Sequence, residues 1–372
     1  MILSLFSHLS RRGVRLRSAA RPARPPARMS AAAAWAAAVL AAALPAWPGA
    51  AGAAEPARLP VVASFSILAD MARQIGGDAV DVHALVGPDG DAHVYEPTPA
   101  DARRLAQARV LVVNGLDFES WLGRLREASG FAGQVVVASQ GVAPRAFTGT
   151  EEGDGHGHGG DHDGDDHDHD HDHDHDHDHD HDHGDEHGHD HGHHHHGSAD
   201  PHAWQDLRNG ILYARNIAEG LAQADPARAD AYRARAEDYV QRMRALDTRL
   251  RERFGALPAE RRRLVTSHDA FGYFGAAYGV QVIAVAGLST EAEPSAADLA
   301  RVVQVVRRDK VPAVFLENIT SPRLVEQIAR ETGAKVGGTL YSDALSPSGG
   351  PAATYLDMFE WNAKQLLDAL QP

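Results

Sequence analysis

The sequence predicts an α/β protein: two parallel-sheet lobes joined by a long rigid helix. Short β-branched runs alternate with segments of helical spacing, first ahead of residue 150 and again after residue 256. Alternation of that kind implies parallel sheets with helical crossovers. Between the two series, Tyr232, Ala236, Tyr239, Met243, Leu246, Leu250 and Phe254 recur at steps of three and four with Arg and Glu among them. This is the apolar stripe of one helix about 40 Å long, a length that suits a rod between lobes. The 372 residues suffice for two ordinary cores.

The elements follow in order. Residues 1–54 carry seven Arg and no acid, then an Ala-rich run from Ala31 to Leu44 and small residues at Ala51–Ala54. The apolar run falls short of the ~20 residues of a membrane span, so the segment reads as a signal peptide, removed on export to the periplasm. The N-terminal lobe occupies 55–223. It opens with a strand and helix in "LPVVASFSILADMARQIGG", then a strand "VDVHALV", a loop "GPDGDAHVYEPTPAD", a helix "PADARRLAQA", a strand "RVLVVNG", a helix through "FESWLGRLREA" and a strand "QVVVAS". "DPHAWQDLRNGILYARNIAEGLAQ" is a loop entering a helix, and the linker helix takes 224–255. The C-terminal lobe, 256–372, alternates strands "RLVTS", "VQVIAVA", "AVFLEN" and "KVGGTL" with helices and closes on "TYLDMFEWNAKQLLDAL". No internal repeat between the lobes is visible.

Residues 150–197 contain no aliphatic or aromatic side chain. Nothing there offsets the entropy of ordering the chain, so the segment is expected to be a disordered insertion in the first lobe. Residues 151–197 hold 19 of the 24 histidines, including "HDHDHDHDHDHDHDHDH" from His167, with 18 acids and no Lys or Arg. A solvated acidic linker would explain the charge, whereas His-rich tracts of this kind bind metal. Outside the tract and the leader, 29 basic residues face 33 acidic ones, a balance that gives no sign of a nucleic-acid surface. The absence of cysteine excludes disulfides, thiolate metal sites, thiol catalysis and a lipidated cysteine anchor.

Any defined metal site is therefore built from imidazole and carboxylate. Outside the tract, only four histidines lie in the two lobes: His83, His93, His202 and His268. His83 falls inside a strand and reads as an exposed strand residue. His93 follows a strand, His202 precedes a helix and His268 sits where a strand turns into a helix, the places where α/β folds bind ligands. Each alone could be a cap or surface residue; their joint placement favours a site. Asp343, again just past a strand, is a fourth candidate, and three imidazoles with one carboxylate suit zinc.

"GPDGDAHVYEPTPAD", "DPHAWQD", "SHDAFGYFGAAYGV", "GLSTEAEPSAADLA", "FLENITSP" and "TLYSDAL" resemble, in order and from Leu59 to Leu370, the motifs of solute-binding proteins of metal ABC importers, specifically the zinc-binding branch. The resemblance implies a Zn²⁺ ion in the interlobe cleft, with ligands at His93, His202, His268 and Asp343. In that family a Glu at the third position goes with manganese and a His with zinc, so His268 points to zinc, in keeping with the softer donor. It implies a periplasmic monomer that is not an enzyme and whose partner is an ABC transporter permease in the inner membrane. Asp91, Glu96, Asp200 and Asp269 are candidates to orient the imidazoles, and Tyr95, Trp204, Phe271 and Tyr273 are expected to pack. Two other functions are open to these residues. A zinc hydrolase lacks an HExxH helix and an evident general base, and a secreted zinc buffer or adhesin would make the tract the functional element.

Overall fold

The computed structural model describes residues 57–146, 199–288, 290 and 294–371. The expected signal peptide and His/Asp-rich insertion lie outside the described residues. Two four-stranded, all-parallel sheets form the framework.

The first comprises β1 (Leu59–Phe65), β2 (Val80–Val86), β3 (Val110–Val113) and β4 (Gln134–Val137), in the order β2-β1-β3-β4. Its crossovers are α1 (Ser66–Gly76), α2 (Pro99–Gln107) and α3 (Leu122–Ser129). Thr98 starts α2 with a reciprocal capping box to Asp101, and Pro99 fits the first turn, where its missing N–H has no partner to lose. A helix α4 (Leu207–Ala224) covers this sheet and is capped by the Asp206 carboxylate on the Arg208 N–H.

The linker helix α5 spans Ala229–Gly255, starting later than the expected 224. Asp225 precedes Pro226 and adopts φ −139°, ψ 75°, outside the helical region that a following proline disfavours. A 3₁₀ turn, Pro226–Arg228, then separates α4 from α5. Along its length α5 packs on α1 and α4, then on helices of the second lobe.

That lobe comprises β5 (Arg263–Thr266), α6 (Gly272–Tyr278), β6 (Gln281–Ala284), α7 (Ala296–Arg308), β7 (Ala313–Glu317), α8 (Arg323–Thr332), β8 (Lys335–Leu340) and α9 (Tyr355–Leu370). The sheet order is β6-β5-β7-β8. Strand order thus repeats between the lobes although the sequence does not. Ser295 caps α7 through a capping box with Asp298. His83, expected to be exposed, is half-buried on β2.

A main apolar core runs from β1 and β3 through α4, α5 and α9, with Trp204, Tyr213, Tyr239, Tyr355 and Phe359 fully buried in it. A second, smaller core lies under α7 and α8 and consists of eight valines and Ile328. One further feature joins distant parts of the chain: Ala146 and Ala199 pair as an isolated antiparallel bridge. Among the described residues, no helix is long and apolar enough to cross a membrane.

Candidate metal centre

The four predicted residues converge. His93 lies in the loop after β2, and His202 precedes the 3₁₀ turn Ala203–Gln205 that leads into α4. His268 follows β5, and Asp343 follows β8. All four are buried, and each offers a donor atom within 4.8 Å of the others. Each lobe supplies two, and His93, His268 and Asp343 stand at the carboxyl ends of strands, where parallel sheets leave a crevice.

Asp343 is the hub. Its Oδ2 lies 3.1 Å from Nε2 of both His93 and His268, and its Oδ1 lies 3.7 Å from His202 Nε2. His202 Nε2 and Asp343 Oδ1 are buried and have no hydrogen-bond partner. Unsatisfied buried polar atoms are costly, and two that face each other across 3.7 Å fit a shared cation. His202 and Asp343 are completely enclosed and His93 is 9% exposed, so a bound ion would be nearly dry.

Outer contacts fix the rings. Asp200 Oδ1 accepts both the backbone N–H of His202 and its ring Nδ1, each at 2.9 Å. That bond leaves Nε2 free to face the site. Glu317, at the end of β7, plays the corresponding part for His268: its Oε1 accepts the His268 backbone N–H at 3.0 Å, and its Oε2 lies 2.6 Å from Nδ1, though off hydrogen-bond direction. The sequence reading missed Glu317. Its one signal was an acid closing the apolar run "AVFLE". Of the four carboxylates expected to orient an imidazole, Asp200 does so. Asp91 accepts the backbone N–H of His93 instead, at 2.9 Å. Glu96 is exposed, and the Asp269 carboxylate makes no hydrogen bond to a ligand ring.

Aromatic side chains form the floor. The His93 ring meets Phe118 edge-on at 4.9 Å, Phe118 meets Trp204 at 4.9 Å, and Trp204 meets His202 at 5.2 Å. Trp204 and Phe271 pack as expected, whereas Tyr273 also donates to the Asp200 carbonyl at 3.2 Å. Tyr95 turns away, donating to Asp101 at 2.9 Å.

Without a metal, the site polarises itself. Burial alone would push the His202 pKa down, but the charges of Asp343 and Asp200 outweigh it and raise it to about 9. Burial likewise opposes protonation of His268, and Glu317 and Asp343 reverse it, carrying the pKa well above its ordinary value. Burial would raise Asp343, yet the facing imidazoles hold its carboxyl well below the usual range. A cation that replaced those protons would inherit the same anionic hub.

Known proteins share much of this chain's sequence and fold. Residues 61–369 match the family model described as "Zinc-uptake complex component A periplasmic". The iron-binding protein YfeA of Yersinia pestis is 31% identical over 298 residues, covering 80% of this chain and 82% of that protein. The manganese ABC transporter substrate-binding lipoprotein PsaA of Streptococcus anginosus is 28% identical over 319 residues, covering 84% of this chain and 89% of its own. Among solved structures, the periplasmic zinc-binding protein TroA of Treponema pallidum superposes with a TM-score of 0.69 at 27% identity, over 85% of this chain and all of TroA. A manganese-bound periplasmic metal-binding protein of Candidatus Liberibacter asiaticus gives 0.66 at 25%, over 84% of this chain and 100% of its own.

Proposed function

The chain belongs to the family of periplasmic zinc-uptake components, the extracytoplasmic metal-binding subunits of ABC metal transporters, and from that premise we propose that its cargo is zinc, held by His93, His202, His268 and Asp343. The observation that carries this reading is the donor set: three imidazoles and one carboxylate converging within 4.8 Å, with His202 Nε2 and Asp343 Oδ1 left unpartnered. Such a set is four-coordinate and nitrogen-rich, which favours zinc over manganese. The manganese and iron named for the relatives make metal choice the point to test.

The protein is a binding component and not an enzyme. It collects zinc in the periplasm, where the basic and Ala-rich leader directs it, and delivers the ion to an inner-membrane permease. Delivery requires the ligands of one lobe to part from those of the other. The His/Asp-rich segment is an auxiliary collector of lower affinity, whose closely spaced imidazoles each hold zinc weakly.

Titration of metal-stripped protein with zinc and manganese tests both parts. Full-length protein is expected to take up one zinc tightly and several weakly; a deletion of residues 151–197 keeps the one tight ion and loses the rest. Zinc at about 100 times its dissociation constant adds about 2.7 kcal/mol to stability, so melting should shift upward with zinc and little with equimolar manganese. Preference for manganese in competition would overturn the zinc assignment. Loss of all tight binding in the deletion would instead make the tract the functional element.

A further inference from the structure

The loop that carries His93 is held from the opposite lobe. Its Asp89, in the left-handed region at φ 53°, donates its N–H to the Leu345 carbonyl at 3.0 Å and accepts Asn318 Nδ2 at 3.0 Å. Two residues on, Asp91 divides its carboxylate: Oδ1 accepts the His93 backbone N–H at 2.9 Å, while Oδ2 accepts the Thr290 hydroxyl at 2.5 Å. Thr290 lies in the loop after β6, and His93 in the loop after β2, the edge strands at matching places in the two sheets. The topologically equivalent loops of the lobes therefore meet through one carboxylate.

The second N-lobe ligand is built in a related way. Asp200 precedes His202 by two residues and braces it with Oδ1, and its Oδ2 lies so close to the C-lobe backbone that a Cβ on Gly272 would come within 2.7 Å of it. In both loops the carboxylate two residues before a ligand faces the ligand's own backbone with one oxygen and the other lobe with the second.

Building on the proposed zinc site, we infer that Thr290 is a positioning residue: through Asp91 it sets His93 against the ligands of the C-lobe, so that its hydroxyl governs how long the closed site keeps its ion. Thr290 does not touch the metal. Parting of the lobes breaks its bond to Asp91 and frees the His93 backbone from a carboxylate fixed at both ends. Asp91 is half-buried, so water replaces only part of the lost interaction.

Zinc release into excess chelator, followed by stopped flow on the full chain, tests this. Thr290→Val should release zinc about fivefold faster, the size expected for one partly water-compensated hydrogen bond to a charged group, and Thr290→Ala should behave alike. Thr290→Ser, which keeps the hydroxyl, should stay within about twofold of wild type. Melting of the metal-free proteins should be unchanged across the three, a result a merely structural threonine would not give alongside faster release. If Val and Ala variants that still bind one zinc release it at the wild-type rate, or if Ser releases as fast as Val, the inference fails while the zinc site stands. If the wild type binds no zinc, the site reading itself fails.

Discussion

The N-terminal sheet, β2-β1-β3-β4, and the C-terminal sheet, β6-β5-β7-β8, share strand order and parallel sense, and in each the central pair, β1 with β3 and β5 with β7, is buried over most of its length; they differ in the cores they face. The first sheet merges with α4, α5 and α9 in the main core; the outer side of the second rests on a separate patch of valines with Ile328. One topology thus packs into a single continuous core in the first lobe and divides its residues between two in the second. The difference teaches that the frame around the ligand loops does not depend on matching cores: two imidazoles stand on the lobe with one continuous core, and the third imidazole with the carboxylate on the lobe whose core is divided.

If the lobes share the ion equally, removing a ligand from either should have the same large effect. His202→Ala in the first lobe and His268→Ala in the second are each expected to weaken zinc binding by more than about 100-fold, beyond the range seen for outer contacts. Calorimetric titration checks it, and a tenfold disparity between the two would show that one lobe holds the ion.

The packing contrast has a direct measure in stability. Leu111→Ala on β3 should cost about 3 kcal/mol, and Val302→Ala on α7 about 2 kcal/mol, since fewer buried atoms are lost. In hydrogen exchange the first should weaken protection across both lobes and the second only in α7 and α8. Uniform loss from Val302→Ala would mean that the two cores unfold as one.

Asp200 and Glu317 sharpen the comparison at the site, one bracing an imidazole from each lobe. Asp200→Ala and Glu317→Ala should each reduce zinc affinity about 10- to 100-fold without changing stoichiometry. Because Oε2 of Glu317 is off hydrogen-bond direction to His268, its effect should be the smaller of the two.

A further effect concerns protons. With the His202 pKa raised to about 9, its stabilising interaction in metal-free protein is complete below the ordinary value near 6.5 and lost as pH rises through about 9. Melting of metal-free protein should therefore fall between pH 6.5 and 9.5, and zinc-bound protein should show less of that fall because the ion occupies the imidazole. A flat metal-free profile would contradict the raised value.

The ligand residues were legible because histidine is scarce in the lobes and three of the four stood at strand ends. Strand and helix order was legible because each core imposes its own hydropathy period. Other features left little trace. Glu317 sits at the end of a buried strand, where sequence alone does not distinguish an orienting carboxylate from an ordinary strand terminus. Asp91 was expected on the ring of a histidine and instead satisfies a backbone N–H, because a carboxylate two residues upstream reaches the peptide as readily as the side chain. The repeated strand order escaped notice since topology constrains which positions are apolar, not which residues fill them.

The bridge between Ala146 and Ala199 has a consequence for how such a protein can change. The two residues, 53 apart in sequence, stand side by side in the first lobe, a few residues ahead of His202. For a flexible loop closed between two such points, each doubling of length costs only about 0.6 kcal/mol in closure entropy. The fold therefore carries an insertion port, into which segments of other length or chemistry can be grafted while the ligand loops keep their register.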